Sequence, residues 1–178
     1  MRFTKTVVEG VLLIDLEPIE DKRGFFARTY CEDEFAAAGI TMRPVQANLS
    51  YNKQAFTLRG MHYQAAPHGE AKLVQCVRGR IFDVAIDLRP QSQTFCRWAG
   101  VELSPKNRRM LYVPEGCAHG YLTLENESDV SYLVSAKYTP NAGRGVRWND
   151  PAFGVAWPTT PKVILPRDAA YPDFRGVR

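Results

Sequence analysis

His62 is the side chain of this sequence best suited by type and setting to chemistry. It lies in the segment RGMHYQ (residues 59–64) and is one of three histidines among 178 residues. An imidazole, with an unperturbed pKa of about 6.5, accepts and returns protons at neutral pH. From the residues alone three interpretations are open: a catalytic base, a metal ligand, or a hydrogen-bonded histidine inside a packed sheet.

A metal site at His62 would need partners at suitable spacing. Many metal-binding β-barrels carry two histidines one residue apart, but the second position here is Gln64. A two-histidine site would join His62 to His119, with Asp83 or Glu70 as its carboxylate. The four cysteines contain no CxxC pair, which argues against a zinc knuckle or a disulfide framework. We therefore expect no metal.

Lys72 and Tyr132 are polar side chains within apolar segments. Lys72 opens KLVQCV (72–77), where it is either the solvated edge of a sheet or a cation that stabilises a developing negative oxygen in a cavity. Tyr132 lies between Val130 and Val134 in an alternating segment. Such a tyrosine is most often a core residue, but its phenol, with a pKa of about 10, can also transfer a proton beside a cation or an enolate.

Asp83, Asp87 and His119 are further candidates whose role depends on the direction they face. In IFDVAIDL (81–88) the two aspartates alternate with apolar residues, so both lie on one face of a strand. That face is functional if it lines a cavity and ordinary if it meets solvent. His119 lies between Gly116 and Gly120, which indicates a tight turn, and we expect it at the mouth or wall of a cavity.

The elements that must position these residues are mostly short strands. KLVQCV and IFDVAIDL flank Arg78-Gly79 and predict a hairpin, and VSYLVSAKY (130–138) predicts a strand with Tyr132 and Tyr138 on one face. Further strands are predicted within 7–16, 108–114 and 120–125. EDEFAAAG (32–39), closed by Gly39, predicts one short helix, and the proline-rich segment 148–168 predicts irregular chain with extended pieces. We expect an all-β jelly-roll barrel or sandwich with one or two short helices, in one domain over 1–178.

The composition narrows the functional classes. The chain is 45% hydrophobic and 24% charged, as in globular proteins. No apolar segment approaches the ~20 residues that cross a bilayer, and the N-terminus lacks a secretory signal. We expect a cytoplasmic protein with reduced cysteines and no membrane partner. The net charge of +4 comes without a basic block, so we expect no nucleic-acid partner.

Taken together, several segments resemble the dTDP-4-dehydrorhamnose 3,5-epimerase family. They follow in order through nearly the whole chain: DKRGFFARTY, QANLSYNK, TLRGMHYQ, KLVQCVRGRIFDVAIDLR, LSPKNRRMLYVPEGCAHGYL, SYLVSAKYTP, WNDPAFGVAWP and ILPRD. RGxHYQ followed by KLV, FDVxxDLR and PxGxAHG is a specific set.

The resemblance implies a cupin-type jelly-roll, a homodimer, and catalysis without metal or other cofactor. The family inverts carbons that flank the ketone of a nucleotide-linked 4-keto-6-deoxy sugar, so the implied partner is a nucleotide-diphosphate sugar. It implies His62 as base, Asp168 as its partner, Tyr132 as acid and Lys72 as the cation that stabilises the enolate. The implied substrate-binding positions are Arg23, Phe26, Gln46, Asn48, Arg59, His119 and Tyr138.

Three positions depart from the family pattern. Arg28 replaces a glutamate, Ala47 replaces an aspartate, and Gly143 replaces a second glutamate. The set implied to be catalytic is intact, but the departures change the positions implied to contact the substrate. The nucleotide, the sugar and the number of inverted carbons therefore stay open. A 3,4-ketoisomerase, a non-catalytic sugar-nucleotide-binding jelly-roll and a metal-dependent barrel enzyme are the alternatives, because this kind of barrel hosts many functions.

Overall fold

The computed structural model describes residues 1–176, which form strands, loops and two short helices. One sheet contains β1 Arg2–Lys5, β2 Leu12–Asp15, β5 Gln46–Asn52, β7 Lys72–Arg78, β10 Arg109–Val113 and β12 Ser128–Val134. Its strands follow the spatial order β1-β2-β10-β7-β12-β5, all antiparallel. We call it the first sheet.

The second sheet faces the first. It contains β6 Thr57–Gln64, β8 Ile81–Asp87, β9 Trp98–Leu103, β11 Cys117–Thr123, β13 Gly143–Gly145 and β14 Val163–Ile164. The order is β13-β6-β11-β8-β9, with β14 parallel to β6. Outside both sheets, β3 Ile19–Asp21 and β4 Gly24–Phe26 form a hairpin, and the helices are α1 Glu32–Ala37 and α2 Pro166–Ala169. The prediction of an all-β jelly-roll with one or two short helices is confirmed.

The predicted hairpin between residues 72–77 and 81–88 is wrong. β7 pairs with β10 and β12 in the first sheet, whereas β8 pairs with β9 and β11 in the second. Gly79, at φ +75°, lies against Ser128, and a Cβ there would come within 2.4 Å of the Ser128 hydroxyl. The glycine therefore turns the chain out of one sheet and into the other, because no larger residue fits this approach.

The main core lies between the two sheets. Val74, Leu111 and Val130 of the first sheet pack there with Ala85 and Leu103 of the second. A second cluster covers the outer face of the second sheet, where Val84 and Ile86 pack under the C-terminal segment. The alternation of β8 is thus confirmed, but both of its faces are buried. Asp83 and Asp87 therefore point inward, not to solvent.

The observed bounds of the remaining elements differ slightly from the predicted ones. Helix α1 ends at Ala37, with Gly39 just beyond it at φ +81°. The strand predicted over 130–138 ends at Val134, so Tyr138 follows the strand and is not part of it. Segment 148–168 is largely irregular, as predicted, apart from β14 and α2.

Candidate active site

A cavity of about 560 Å³ opens between the two sheets. A smaller cavity of about 200 Å³ adjoins it, and the two share His62, Lys72, Tyr132 and Arg167 in their walls. We call the larger one the outer cavity and the smaller one the inner cavity. All four residues implied to be catalytic meet here, because Asp168 lines the inner cavity as well.

His62 and Asp168 form a hydrogen-bonded pair at this junction. His62 lies on β6, and its Nε2 is 2.8 Å from Oδ1 of Asp168 on α2. A carboxylate only accepts hydrogen bonds, so the bond assigns the imidazole proton to Nε2 and leaves the lone pair on Nδ1. The Asp168 side chain is 1% exposed and that of His62 34%. The acid is therefore fixed inside the protein while the imidazole reaches the cavity.

Local sequence explains how Asp168 comes to this place. Pro166 begins α2 at a position where its missing N–H costs nothing, and the Asp168 N–H donates to the Leu165 carbonyl. The Gly60 N–H, 3.5 Å away, points at the other carboxylate oxygen of Asp168. A single helical turn thus holds the carboxylate behind the imidazole.

Burial lowers the pKa of His62 below its usual value, and Asp168 opposes this by favouring the charged form. Lys72 and Arg167 act in the same direction as burial, because a nearby positive charge disfavours imidazolium. The imidazole is therefore kept neutral and ready to accept a proton at neutral pH.

Lys72 points into the cavity and is not at a solvated edge. Its Nζ lies 3.1 Å from Oε1 of Glu70 and donates to the His62 carbonyl at 3.4 Å. The side chains of Lys72 and Glu70 are 10% and 14% exposed. Gln64 donates to the other Glu70 oxygen at 3.3 Å and accepts from the Thr139 N–H at 2.7 Å. The ammonium is thus held next to His62 by Glu70, which the sequence suggested only as a possible metal ligand and not as a partner of Lys72.

Tyr132 extends from β12 of the first sheet, opposite Asn48 of β5. It lines both cavities and is partly buried. Burial raises the pKa of Tyr132, so the phenol keeps its proton at neutral pH. His62 belongs to the second sheet, and the two side chains therefore reach the cavity from opposite walls.

His119 forms a second histidine–aspartate pair. It lies in strand β11 opposite His62, not in a turn, and its Nε2 is 2.8 Å from Oδ1 of Asp83. Asp83 Oδ2 is buried and has no hydrogen-bond partner within residues 1–176. Beside the pair, Arg59 donates to Asn52 at 2.8 Å and lines the inner cavity. The expected place of His119 in a cavity wall is what the structure shows.

Asp87 serves the fold instead of the cavity. Burial opposes its ionisation, but hydrogen bonds from Arg89, Ser92 and Thr94 outweigh it and lower the pKa of Asp87 to about 2. The carboxylate therefore ties the loop after β8 to the end of that strand.

The outer cavity gathers the other substrate-binding candidates unequally. Gln46, Asn48 and Tyr138 line it, and Tyr138 is 68% exposed at its rim. Arg23 and Phe26 lie elsewhere, on the exposed β3–β4 hairpin, where Arg23 pairs with Asp21. The cavity walls of this chain do not include them.

Several residues of the cavity gave no signal of their own in the sequence. Tyr171, Arg144 and Arg167 line the outer cavity. The position of Arg167 beside Asp168 in ILPRD was the one available clue. Tyr171 lies in a short tail without periodicity.

Residues 1–176 contain neither a metal-binding cluster nor a membrane-spanning helix. No group of three or more histidine, cysteine, aspartate or glutamate side chains within residues 1–176 is arranged to hold a metal ion. No helix in the same part of the chain is long and apolar enough to cross a membrane.

Comparison with known proteins identifies the family of this chain. The family model described as dTDP-4-dehydrorhamnose 3,5-epimerase matches residues 5–176. The chain belongs to this family. A dTDP-4-dehydrorhamnose 3,5-epimerase of Methanothermobacter thermautotrophicus is 44% identical over 158 residues, covering 88% of this chain and 84% of that protein.

Two further relatives differ in the reaction that they are named for. A dTDP-4-dehydrorhamnose 3-epimerase of Streptomyces niveus is 41% identical and covers 94% of this chain and 81% of that protein. The crystal structure of the Legionella pneumophila 3,5-epimerase in complex with dTDP-4-keto-L-rhamnose has a TM-score of 0.89 and 35% identity, covering 96% of this chain and 90% of that one. The resemblance to this family, the cupin-type fold and the prediction of an isomerase of the epimerase kind are confirmed.

Proposed function

We propose that this epimerase inverts C3, C5 or both in a nucleotide-linked 4-keto-6-deoxy sugar, with His62 as base and Tyr132 as acid. The observation that carries the proposal is that a neutral imidazole and a protonated phenol enter one cavity from opposite sheets, with the Lys72 ammonium in the same walls. Inversion needs a proton removed from one face of a carbon and returned to the other. One residue cannot easily do both.

The chemistry follows from the ketone of the substrate. His62 Nδ1 takes the proton from the carbon beside the carbonyl, and the electrons of the C–H bond form a C=C bond while the carbonyl electrons move to the oxygen. Lys72 stabilises that enolate oxygen, an interaction stronger in the transition state than with the ketone. Tyr132 then donates its phenolic proton to the opposite face. Exchange with solvent removes the proton from His62 and restores that of Tyr132.

Asp168 has two roles in this scheme. Its carboxylate fixes the imidazole tautomer with Nδ1 as the base, and its charge stabilises the imidazolium that forms, as the acid does in other histidine–aspartate pairs. Because the substrate carbonyl is the electron sink, the scheme needs no cofactor.

The cations around the cavity fit a diphosphate. Arg59 in the inner cavity, and Arg144 and Arg167 in the outer one, offer guanidinium groups, which bind phosphate oxygens in bidentate fashion. His119, held by Asp83, adds a donor or acceptor at Nδ1. Gln46, Asn48 and Tyr138 at the outer end are placed to contact the rest of the sugar nucleotide.

The positions that depart from the family pattern differ in whether they can affect substrate binding. Arg28 pairs with Glu34 of α1 at 2.9 Å, whereas Gly143 lines the outer cavity. The relatives named for one and for two inversions are both named for dTDP-4-dehydrorhamnose. We therefore propose dTDP-4-keto-6-deoxyglucose, which becomes that compound on inversion at C3 and C5, as the first substrate to test.

We further propose a cytoplasmic homodimer in which one domain carries the reaction. Strand β5 is an edge of the first sheet and exposes Leu49 and Tyr51, and the β3–β4 hairpin exposes Phe26. An apolar edge of this kind favours a second copy. A partner subunit would then supply Arg23 and Phe26 to the cavity.

The test is product analysis. The protein is incubated with dTDP-4-keto-6-deoxyglucose, and the product is read by NMR at C3, C4 and C5. Inverted configuration at C3, C5 or both supports the proposal. A 3-keto product would make the chain a ketoisomerase. Binding without any product would contradict epimerisation of this sugar and favour a non-catalytic sugar-nucleotide-binding protein.

A further inference from the structure

Tyr171 stands beside His62 in the wall of the outer cavity. Its ring centroid lies 6.4 Å from that of the imidazole, with the planes at 73°. This edge-to-face arrangement is within the range of aromatic contact. The Tyr171 ring therefore bounds the outer cavity on one side of His62.

Gly145 provides the seat for that ring. Gly145 is paired with His62 across β13 and β6. A Cβ on Gly145 would come within 2.2 Å of the Tyr171 Cζ and 2.6 Å of its hydroxyl oxygen. Real Cβ atoms do not approach other atoms so closely, so a larger residue here would push the ring towards the cavity or out of it.

The tail that carries Tyr171 is fixed on both sides. Before it, α2 holds Asp168 against His62. After it, Arg147 contacts the Tyr171 carbonyl at 3.5 Å and pairs with Asp173 at 2.5 Å. The backbone that carries the ring is therefore held in place by the segment that also holds Asp168 against His62.

We propose that Tyr171, seated on Gly145, is a specificity-determining residue that limits which carbon of the sugar ring reaches His62. A wall beside the base restricts how the sugar can tilt, and a shift of about 1 Å in a reacting atom changes rates about a hundredfold. The wall thus sets the balance between proton exchange at C3 and at C5. This inference rests on the proposed epimerase function.

The experiment compares variants in heavy water. Wild type, Tyr171→Phe, Tyr171→Ala, Gly145→Ala and Gly154→Ala are each incubated with dTDP-4-keto-6-deoxyglucose, and initial deuterium incorporation at C3 and C5 is followed by NMR. kcat and KM are measured, and so is the Kd for dTDP, which lacks the sugar. Gly154 is the control, because it lines neither cavity and a Cβ there meets nothing within 4 Å.

Tyr171→Phe keeps the wall and is expected to preserve the C3-to-C5 ratio. Tyr171→Ala and Gly145→Ala are expected to change that ratio and KM for the sugar nucleotide by about tenfold, with the Kd for dTDP within twofold of wild type. Gly154→Ala adds the same methyl group outside both cavities, so its ratio should stay close to that of wild type. Circular dichroism verifies folding, and Tyr171→Leu takes the place of Tyr171→Ala if that variant unfolds.

Two negative results have different meanings. If wild type exchanges protons and neither the alanine variant at Tyr171 nor that at Gly145 changes the ratio, the inference is wrong and the epimerase proposal stands. If wild type binds dTDP but exchanges protons at neither carbon, the epimerase proposal for this sugar is wrong. The inference about Tyr171, which rests on it, is then wrong as well.

Discussion

At the scale of single residues, the state of His62 decides how activity depends on pH. The base must be neutral to accept a proton, so activity falls as the pH drops through the pKa of His62. Burial places that pKa below its usual value, while Asp168 pulls it upward. The acidic limb of the kcat/KM profile is therefore expected below about pH 6.5, the unperturbed histidine value.

Asp168→Asn tests this balance. The substitution removes the negative charge that stabilises the imidazolium form of His62. The pKa of His62 should therefore fall further, and the acidic limb should move to lower pH. The lost orientation and lost stabilisation of imidazolium should reduce kcat at least about a hundredfold at neutral pH. Kinetics from pH 4.5 to 8 on both proteins measure both effects. An acidic limb that moves to higher pH would contradict the assigned partnership.

The catalytic residues show what residue-level reasoning on the sequence can reach. The type and setting of His62 left three interpretations open, and the resemblance to a family was needed to choose the base. Nothing local connects His62 with Asp168, because 106 positions separate them. Glu70 and Gln64, which hold Lys72 and its surroundings, were invisible as a pair for the same reason.

At the scale of elements, the end of β8 depends on Asp87. This carboxylate is fully buried and accepts hydrogen bonds from Arg89, Ser92 and Thr94. Its pKa is lowered to about 2, below the unfolded value of about 3.9. The stability it contributes is therefore present above about pH 4 and is lost as the pH falls through its folded pKa.

Asp87→Ala is expected to lower the free energy of unfolding by about 3 kcal/mol at pH 7, because it leaves a partly buried Arg89 and two hydroxyls without their acceptor. Denaturant unfolding measures the loss. Glu125→Gln, which weakens an exposed pair with Arg80, is the control and should cost less than about 1 kcal/mol. Equal losses in the two variants would show that the Asp87 network has no special weight.

Strand prediction succeeded and failed for physical reasons that β7 and β8 illustrate. Alternation in the sequence reports which side chains share a face, so the strand β8 and the common face of Asp83 and Asp87 followed from it, but not whether that face is buried. Alternation says nothing about the neighbouring strand. The turn at Gly79 was therefore predicted to close a hairpin, but in the structure it leads the chain from the first sheet to the second.

At the scale of the whole molecule, the position of Arg23 and Phe26 outside the cavity walls makes the proposed dimer testable. If a partner subunit completes each site, Arg23→Ala and His62→Ala chains should both be weakly active alone. Mixed dimers formed by refolding them together would contain one site with His62 and Arg23 both intact. Activity of the mixture should then exceed the sum of the separate variants, and light scattering should give the mass of two chains. A monomeric mass, or no gain on mixing, would contradict this arrangement.

The two-sheet architecture itself places the proposed base and acid on opposite walls. His62 comes from β6 of the second sheet and Tyr132 from β12 of the first, so the sandwich fold supplies the two-sided approach that inversion requires. The tail residue Tyr171 completes the enclosure, and its contact with Gly145 left no periodic signal in the sequence because a glycine has no side chain to show one.

The roles of His62 as base and Tyr132 as acid are tested most directly by deuterium exchange at C3 and C5 of dTDP-4-keto-6-deoxyglucose. Wild type, His62→Ala and Tyr132→Phe are compared. Wild type should incorporate deuterium and invert the labelled carbon, and His62→Ala should do neither. Tyr132→Phe should still exchange, since the base is intact, but without efficient inversion. Full exchange by His62→Ala, or unchanged product stereochemistry and rate in Tyr132→Phe, would contradict the assignment of a base and an acid on opposite walls.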